Sequence, residues 1–262
     1  MSFATIRAKL KQASYMTAIS GRLMRAARSG AEVELKALLS NPSCDARVKD
    51  NNGMTALMWS VYSGEDTRFK ILLPMSDALA KDDDEMTALM YAAHLGEERY
   101  VKSLLPTSDA LAGDSSCRTA LMWAACSGHE ECVRLLLPAS DALMRDEDGL
   151  TALIMAVEQG HKNCVSLLLP ASDVLAKSNN GQTALMKAVL RGLRPFIELL
   201  LPRSDLQAKD NNGMTACLLA RNMGCASLAQ FMEAYVLAQS ERSTIDAAVC
   251  LKAPRSRAAL RV

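Results

Sequence analysis

Residues 117–144 read CRTALMWAACSGHEECVRLLLPASDALM and contain one complete structural unit of the chain. Thr119 is suited to cap a helix, because its hydroxyl can accept a hydrogen bond from a backbone N–H of the first turn. Gly128 ends that helix, since glycine tolerates the left-handed conformation of a C-terminal cap. Glu130 opens a second helix with an apolar face, and Pro138 stops it because proline cannot continue the hydrogen-bond ladder. The stretch therefore predicts helix, turn, helix and loop.

This unit recurs along the chain with a fixed period of 32 residues. The threonine column consists of Thr55, Thr87, Thr119, Thr151, Thr183 and Thr215. Glycine and proline columns follow with the same interval, for example at Gly96 and Gly128 and at Pro106 and Pro138. A period between 20 and 50 residues indicates stacked structural repeats. The sequence therefore predicts an all-α solenoid of helix-turn-helix units joined by loops.

The unit resembles the ankyrin repeat. The features that carry the resemblance are the Asp-x-x-Gly-x-Thr loop tip from Asp146 to Thr151, the Ala-Ala-x-x-Gly-His turn from Ala124 to His129, and the Val-x-x-Leu-Leu second helix. Two departures stand out. Alanine and methionine replace the proline and histidine of the usual Thr-Pro-Leu-His, as in Ala56 and Met58, and we expect methionine packing to replace the lost hydrogen bond. The period is one residue shorter than the usual 33. This Thr-Ala-Leu-Met variant is similar to expanded ankyrin families of some protozoa.

We divide the chain into three parts. Residues 1–20 form an N-terminal extension whose Ile6, Leu10 and Ala13 share a face, which predicts a capping helix. Residues 21–238 form seven ankyrin-type repeats, and the atypical first and last repeats act as caps. Residues 239–262 form a basic tail without the repeat pattern, and we expect this tail to be poorly ordered.

Composition excludes several classes of protein. The 262 residues include 30 Lys and Arg and 29 Asp and Glu, so the net charge of +1 provides no general attraction to nucleic acid or an anionic membrane. No apolar run approaches the roughly 18 residues of a transmembrane helix, and no secretory signal is evident. The eight cysteines form no Cys-x-x-Cys pairs, which favours reduced thiols in a cytoplasmic protein. We expect a monomer that needs no cofactor.

Motifs for catalysis or metal binding are weak. The sequence contains no phosphate-binding loop, nucleophile elbow or zinc-protease helix. Cys126, His129 and Cys132 provide three soft ligands, whereas structural zinc normally needs four, so we interpret them as packing residues around a turn. The Ser-Asp pairs that begin at Ser76 and recur every 32 residues are expected to satisfy backbone N–H groups. We therefore predict a non-catalytic scaffold or adaptor for a protein partner. An enzyme with a Cys/His site is the alternative.

The resemblance places the partner-binding surface on the concave side of the array. It implies exposure at the fourth position after each threonine, where the sequence has Trp59, Tyr91, Trp123 and Met155, followed by Lys187 and Leu219. It implies the same for the position before each threonine, where the sequence has Met54, Met86, Arg118 and Leu150. Aromatic residues, Met and Arg are enriched at interface centres. The predicted binding residues are eight of these, without Lys187 and Leu219: Trp59, Tyr91, Trp123, Met155, Met54, Met86, Arg118 and Leu150. Alternatively, this repeat simply prefers an aromatic residue there, half-covered by the adjacent tip.

The loop tips carry a second signal. Residues 82–85 and 146–148 are acidic, which is typical both of a surface that attracts a basic partner and of ordinary solvated turns. Glu85 and Cys117 also stand where other tips have glycine, such as Gly149. If this position requires a positive φ, the two tips are either strained or differently shaped.

Overall fold

The structure is a computed structural model that describes residues 18–30 and 32–238. Within these ranges the chain forms fourteen α-helices and no strands, which confirms the predicted all-α solenoid. The predicted capping helix lies mostly outside the described residues, and only residues 18–20 of it are described, where they are helical. The predicted poorly ordered tail, residues 239–262, also lies outside them.

The helices follow one another in seven pairs. The pairs are α1 (18–29) with α2 (Glu32–Leu39), α3 (Ala56–Tyr62) with α4 (Asp66–Leu72), α5 (Ala88–Leu95) with α6 (Glu98–Leu104), α7 (Ala120–Ser127) with α8 (Glu130–Leu136), α9 (Ala152–Gln159) with α10 (Lys162–Leu168), α11 (Ala184–Leu190) with α12 (Arg194–Leu200), and α13 (Ala216–Asn222) with α14 (226–238). That all of residues 21–238 belong to seven repeats of one family stays a prediction.

The helix boundaries have the local causes that the sequence predicted. The Thr119 hydroxyl accepts a 3.4 Å hydrogen bond from the Met122 N–H and caps α7. Gly128 adopts φ 80° at the other end of the same helix. Pro138 does not end the helical conformation at once, because Leu137–Ala139 forms one 3₁₀ turn directly after α8. A proline in the first turn of a 3₁₀ segment costs little, since its missing N–H has no partner there in any case.

The helices form two layers. First helices pack side by side, as α5, α7 and α9 do, and second helices do the same, as α6, α8 and α10 do. Alanines such as Ala124 are completely buried and allow close approach between the first helices. Leu121, Val133 and Leu136 fill the space between the layers. Because each pair buries its apolar surface against its neighbours, the core is continuous along the array.

Methionine replaces the missing histidine of the repeat. Met58, Met90 and Met122 are buried, as expected from packing. The sulfur of Met58 also accepts the Thr55 N–H at 3.4 Å, and the sulfur of Met90 accepts the Thr87 N–H at 3.5 Å. Sulfur is a weak acceptor. The methionines therefore supply packing together with a second, weaker capping contact.

Each loop tip is organised around one polar side chain, which is an aspartate in five of the six tips. The Asp114 Oδ1 accepts hydrogen bonds from the N–H groups of Ser116 at 2.9 Å and Arg118 at 2.8 Å. The same arrangement occurs at Asp50, Asp82, Asp146 and Asp210, while Ser178 takes this place in the sixth unit. Neighbouring tips are joined by one backbone hydrogen bond, for example from the Ser115 N–H to the Asp84 carbonyl at 2.9 Å.

Glu85 and Cys117 keep the tip conformation at the expense of strain. Their φ angles are 59° and 60°, close to the 72° of Gly149 at the same position in another tip. A side chain with a Cβ atom is disfavoured in this left-handed region by about 1–2 kcal/mol. Of the two expected possibilities, the structure therefore shows strained tips of ordinary shape.

In the Ser-Asp pairs, the aspartates bind backbone N–H groups as expected, but four of the serines do not. Asp77 Oδ1 accepts the Leu79 N–H at 2.9 Å, and the other four aspartates make the equivalent bond. The serine hydroxyls behave differently. Four of them are buried with no hydrogen-bond partner among the described residues: Ser76, Ser108, Ser140 and Ser172. The expectation that the pairs satisfy backbone N–H groups is therefore met by the aspartates and not by these serines.

Candidate partner-binding face

Three aromatic side chains project from the first helices and are tied to the loop tips. The Trp59 Nε1 donates to Asp50 Oδ2 at 2.8 Å, and the Trp123 Nε1 donates to Asp114 Oδ2 at 2.9 Å. The Tyr91 hydroxyl donates to Asp82 Oδ2 at 2.6 Å. In every case the aspartate lies nine residues before the ring. All three rings are half-buried, so each presents part of its surface to solvent.

The tip carboxylates are consequently shared between loop and helix. One oxygen of Asp82 holds backbone N–H groups of the tip, and the other holds Tyr91. Burial and the hydrogen bond to Asp82 raise the pKa of the Tyr91 hydroxyl. The rings therefore have a structural role that the sequence analysis did not include. The recurrent spacing from aspartate to aromatic residue was the signal available for it.

Two of the predicted binding residues are not exposed. Met155 is 4% exposed and Met54 is 7% exposed, so the expected exposure of the whole register is wrong at these positions. A methionine cannot donate to the tip carboxylate, and Arg118 of the preceding unit approaches Asp146 Oδ2 instead, with its Nε at 3.4 Å. Without a polar group to hold it at the surface, Met155 packs into the core.

A second row of side chains, which the sequence analysis missed, lies one turn further along the same helices. Tyr62 is 57% exposed. Its ring meets Trp59 edge-on with centroids 5.8 Å apart, and it meets Tyr91 of the next unit at 6.3 Å. His94 packs edge-on against Trp123 at 4.9 Å. The i, i+3 spacing from Trp59 to Tyr62 and from Tyr91 to His94 places both rows on one helix face.

We call Trp59, Tyr62, Tyr91, His94 and Trp123 the inner aromatic face. Guanidinium groups border it at both ends. Arg28 lies over Trp59 with its Cζ 4.8 Å from the ring centroid, and Arg118 lies over Trp123 at 5.5 Å. Burial and the nearby charge of His129 lower the pKa of His94, which favours the neutral ring. The face is thus aromatic in the middle and cationic at its borders.

The C-terminal part of the register has a different character. Lys187 forms a 3.0 Å ion pair with Glu158 of the preceding unit. Leu219 is half-buried, as are the remaining predicted residues Met86 and Leu150. The aromatic residues of this register therefore end with Trp123.

The histidines at the helix-helix turns connect neighbouring units. His129 Nε2 lies 3.0 Å from the His94 carbonyl oxygen, and His161 Nε2 lies 3.0 Å from the Cys126 carbonyl oxygen. A Cβ atom added to Gly128 would lie 2.4 Å from the His161 ring, so glycine makes room for this contact. In the described part of the chain, no group of three or more His, Cys, Asp or Glu side chains is arranged to hold a metal ion.

The acidic tips are only partly available to a partner. Asp82 and Asp146 are buried as the organising residues of their tips. Asp83, Asp84 and Asp148 are exposed. Some acidic side chains of these tips therefore organise the loop, whereas others are exposed on the surface.

Comparison with known proteins identifies the repeat. The family model described as ankyrin repeats (3 copies) matches residues 23–114 and 101–178, which together span more than half of the chain. A search of curated proteins finds no match. Among the described residues, no helix has the length and apolar character needed to cross a membrane.

Proposed function

The chain belongs to the ankyrin-repeat family, and on that basis we propose that it is a non-catalytic scaffold or adaptor that binds a protein partner through the inner aromatic face. Ankyrin repeats are generally protein–protein interaction modules, and proteins built from them are typically non-enzymatic scaffolds. The observation that supports the proposed location is the exposure of Tyr62 between Trp59 and Tyr91. An exposed aromatic cluster of this kind is typical of an interface.

The face has the properties of a prepared binding surface. Hydrogen bonds to Asp50, Asp82 and Asp114 fix three rings before any partner arrives. Rigid aromatic side chains lose little conformational entropy on binding, which increases the affinity obtained from a given contact area. Tyr62 lacks such a tether and has the largest exposed fraction among the described aromatic residues, so we propose it as the main anchor.

We extend the proposal to the setting of the protein. The chain acts as a monomer in the cytoplasm, with a protein partner and without a nucleic acid or membrane ligand. The near-zero net charge supports this setting, because it gives no long-range attraction to polyanions. Gel filtration with light scattering tests the monomeric state.

The alternative of a Cys/His enzyme has weaker support. A cysteine nucleophile reacts as the thiolate. Burial raises the pKa of Cys132 to about 11 and that of Cys164 to about 11, which disfavours the reactive form. The Nε2 atoms of His129 and His161 already face backbone carbonyl groups.

Photo-crosslinking tests the proposed face. We would place a photoreactive phenylalanine analogue at position 62 and, as a matched control, at position 102, where Lys102 is exposed on a second helix. The expected result is a crosslinked protein at position 62, whose yield falls at least tenfold in a chain that also carries His94→Ala. The same protein crosslinked equally well from position 102 would contradict the proposed location.

A further inference from the structure

Four leucines form a row on the surface, away from the inner aromatic face. Leu79, Leu111, Leu143 and Leu175 are 56%, 48%, 53% and 51% exposed. They recur every 32 residues, in the loop that follows each second helix. Neighbouring helices lie about 8–10 Å apart, so the four side chains cover about 30 Å along the array. We call these residues the leucine row.

The exposure of the leucine row is built into the loop. Asp109 Oδ1 accepts the Leu111 N–H at 2.9 Å, and the Asp109 carbonyl accepts the Ala112 N–H at 3.4 Å. This turn directs the preceding Ala110 into the core and leaves Leu111 in solvent. The other three units repeat the same turn with a buried Ala or Val before the leucine. Each unit thus buries a smaller residue and exposes a larger one, although the hydrophobic effect alone favours the opposite order.

Carboxylates accompany the leucine row. Asp77, Asp109, Asp141, Asp173 and Asp205 are all exposed. None of the five forms an ion pair with a Lys or Arg among residues 18–30 and 32–238. Charge complementarity therefore requires that a segment covering the row be both apolar and basic.

The row also has defined ends. Arg47 occupies the leucine position one period before Leu79, and Gln207 occupies it one period after Leu175. Arg47, Pro74 and Leu79 line a groove at the first of these ends. The apolar surface therefore extends over four units and stops at polar residues on both sides.

A segment with the required chemistry is present in this chain. Residues 247–262 read AAVCLKAPRSRAALRV, with four basic residues and no acidic residue. Apolar side chains flank these basic residues, because Val249 and Leu251 precede Lys252 and Leu260 lies between Arg257 and Arg261. The composition thus matches both the leucines and the carboxylates of the row.

The distance from the end of the array also fits. Helix α14 is the second helix of its pair and is described as far as residue 238, and in four earlier units the loop after the second helix carries the leucine. The chain therefore leaves the array on the side where the leucine row lies. Residues 239–246 span up to about 27 Å when extended, which is enough to reach Leu175 about two repeats away. Residues 247–262 span up to about 50 Å, more than the length of the row.

We propose that residues 247–262 bind along the leucine row, with apolar side chains on the leucines and basic side chains beside the aspartates. A segment without regular secondary structure can bind in this way in an extended conformation. The surface is independent of the inner aromatic face, so this proposal stands or falls separately from the proposed function.

Hydrogen–deuterium exchange on the full chain tests the proposal. The reference is a synthetic peptide of residues 239–262 under the same conditions. We expect amides of residues 247–262 to exchange at least tenfold more slowly in the full chain than in the peptide. The double variant Leu111→Glu with Leu143→Glu should exchange at the peptide rate, whereas Val33→Glu, which alters a residue 78% exposed on α2, should retain the protection.

A second variant separates charge from folding. Asparagine can make the same turn as aspartate, so Asp109→Asn with Asp141→Asn keeps the loop and removes two charges. At low salt, amides of residues 247–262 should exchange at least threefold faster in this variant than in the wild-type chain. Exchange of the wild-type tail at the peptide rate would overturn the proposal and leave the row to another molecule. Unchanged protection in the leucine and the asparagine variants would also overturn it, by showing that the tail binds elsewhere.

Discussion

Trp123 and Asp114 are joined by a 2.9 Å hydrogen bond from the indole Nε1 to the carboxylate Oδ2. The other oxygen of this carboxylate holds the N–H groups of Ser116 and Arg118. The first helix of the unit and the loop tip before it are therefore tied through one side chain. A residue placed on a candidate binding face is thus also part of the scaffold.

This bond predicts that Trp123→Phe destabilises the protein. Phenylalanine keeps most of the ring but removes the donor, and the buried Asp114 loses one of its partners. We expect the free energy of unfolding to fall by about 1.5–3 kcal/mol, the range for a hydrogen bond to a charged group. Urea denaturation monitored by circular dichroism measures the change. Tyr62→Phe is the control and should stay within about 0.5 kcal/mol, because the exposed ring has no comparable tether. Equal stabilities of the two variants would contradict the structural role.

The strained tips predict an unusual stabilising substitution. Cys117→Gly relieves a φ of 60° that disfavours any side chain. The relief of about 1–2 kcal/mol exceeds the entropy that glycine adds to the unfolded chain, so we expect a gain of about 1 kcal/mol. Thermal and urea unfolding measure it. Gly149→Ala is the reverse test in an unstrained tip, and it should destabilise the protein because the new Cβ would lie 2.6 Å from Asn179 Oδ1. A loss of stability in Cys117→Gly would refute the strain argument.

The environment of His94 predicts that the folded protein is less stable in mild acid than at neutral pH. Burial and the charge of His129 lower the pKa of His94 from its ordinary 6.5. As the pH falls through 6.5, the unfolded chain binds a proton that the folded chain resists, so the free energy of unfolding falls until the pH reaches the folded-state pKa. Above pH 6.5, the ordinary pKa, His94 does not make the free energy of unfolding depend on pH. Urea unfolding between about pH 7.5 and 5.5 measures the effect. His94→Gln should flatten the profile, and a wild-type profile that rises on acidification would contradict the prediction.

Two cysteines are predicted to resist alkylation in the native protein. Burial raises the pKa of Cys132 to about 11 and of Cys164 to about 11, from an ordinary value of 9.0. The thiolate population at neutral pH is then lower by roughly 100-fold, before steric protection is considered. Cys225 is exposed and serves as the internal reference. Iodoacetamide labelling followed by peptide mass spectrometry should show that Cys225 reacts first and that urea abolishes the difference. Equal native rates would show that the two buried thiols open readily to solvent.

Much of the fold could be predicted from sequence because the local signals repeat. Thr119, Gly128 and Pro138 each act within a few residues of their own position, so a column of such residues predicts the same turn or cap each time. The core residues could be predicted for the same reason, since Val133 and Leu136 follow helical spacing. Local rules also covered the strain at Glu85 and Cys117, once φ at the tip was known to be positive.

The candidate surface was less predictable because it depends on contacts between elements. Position in the register did not distinguish the half-buried Trp123 from the buried Met155, since the difference lies in whether the side chain can donate to a tip carboxylate. Tyr62 was missed because it falls outside the family register, although it lies on the same helix face as Trp59. The link from His129 to the His94 carbonyl spans two units and has no local signature.

The single backbone hydrogen bond between neighbouring tips has a mechanical consequence. When the two ends of the array are pulled apart, the interfaces between successive units carry the load in series, and each interface combines packed helices with a tip bond such as that from Ser115 N–H to the Asp84 carbonyl. A chain of links in series fails at its weakest member, unlike a zipper whose bonds share the force. The first helices pack most extensively between α5, α7 and α9, so under tension the array should part first outside these central units and extend unit by unit. The array is therefore expected to lengthen in steps of one unit when it is stretched.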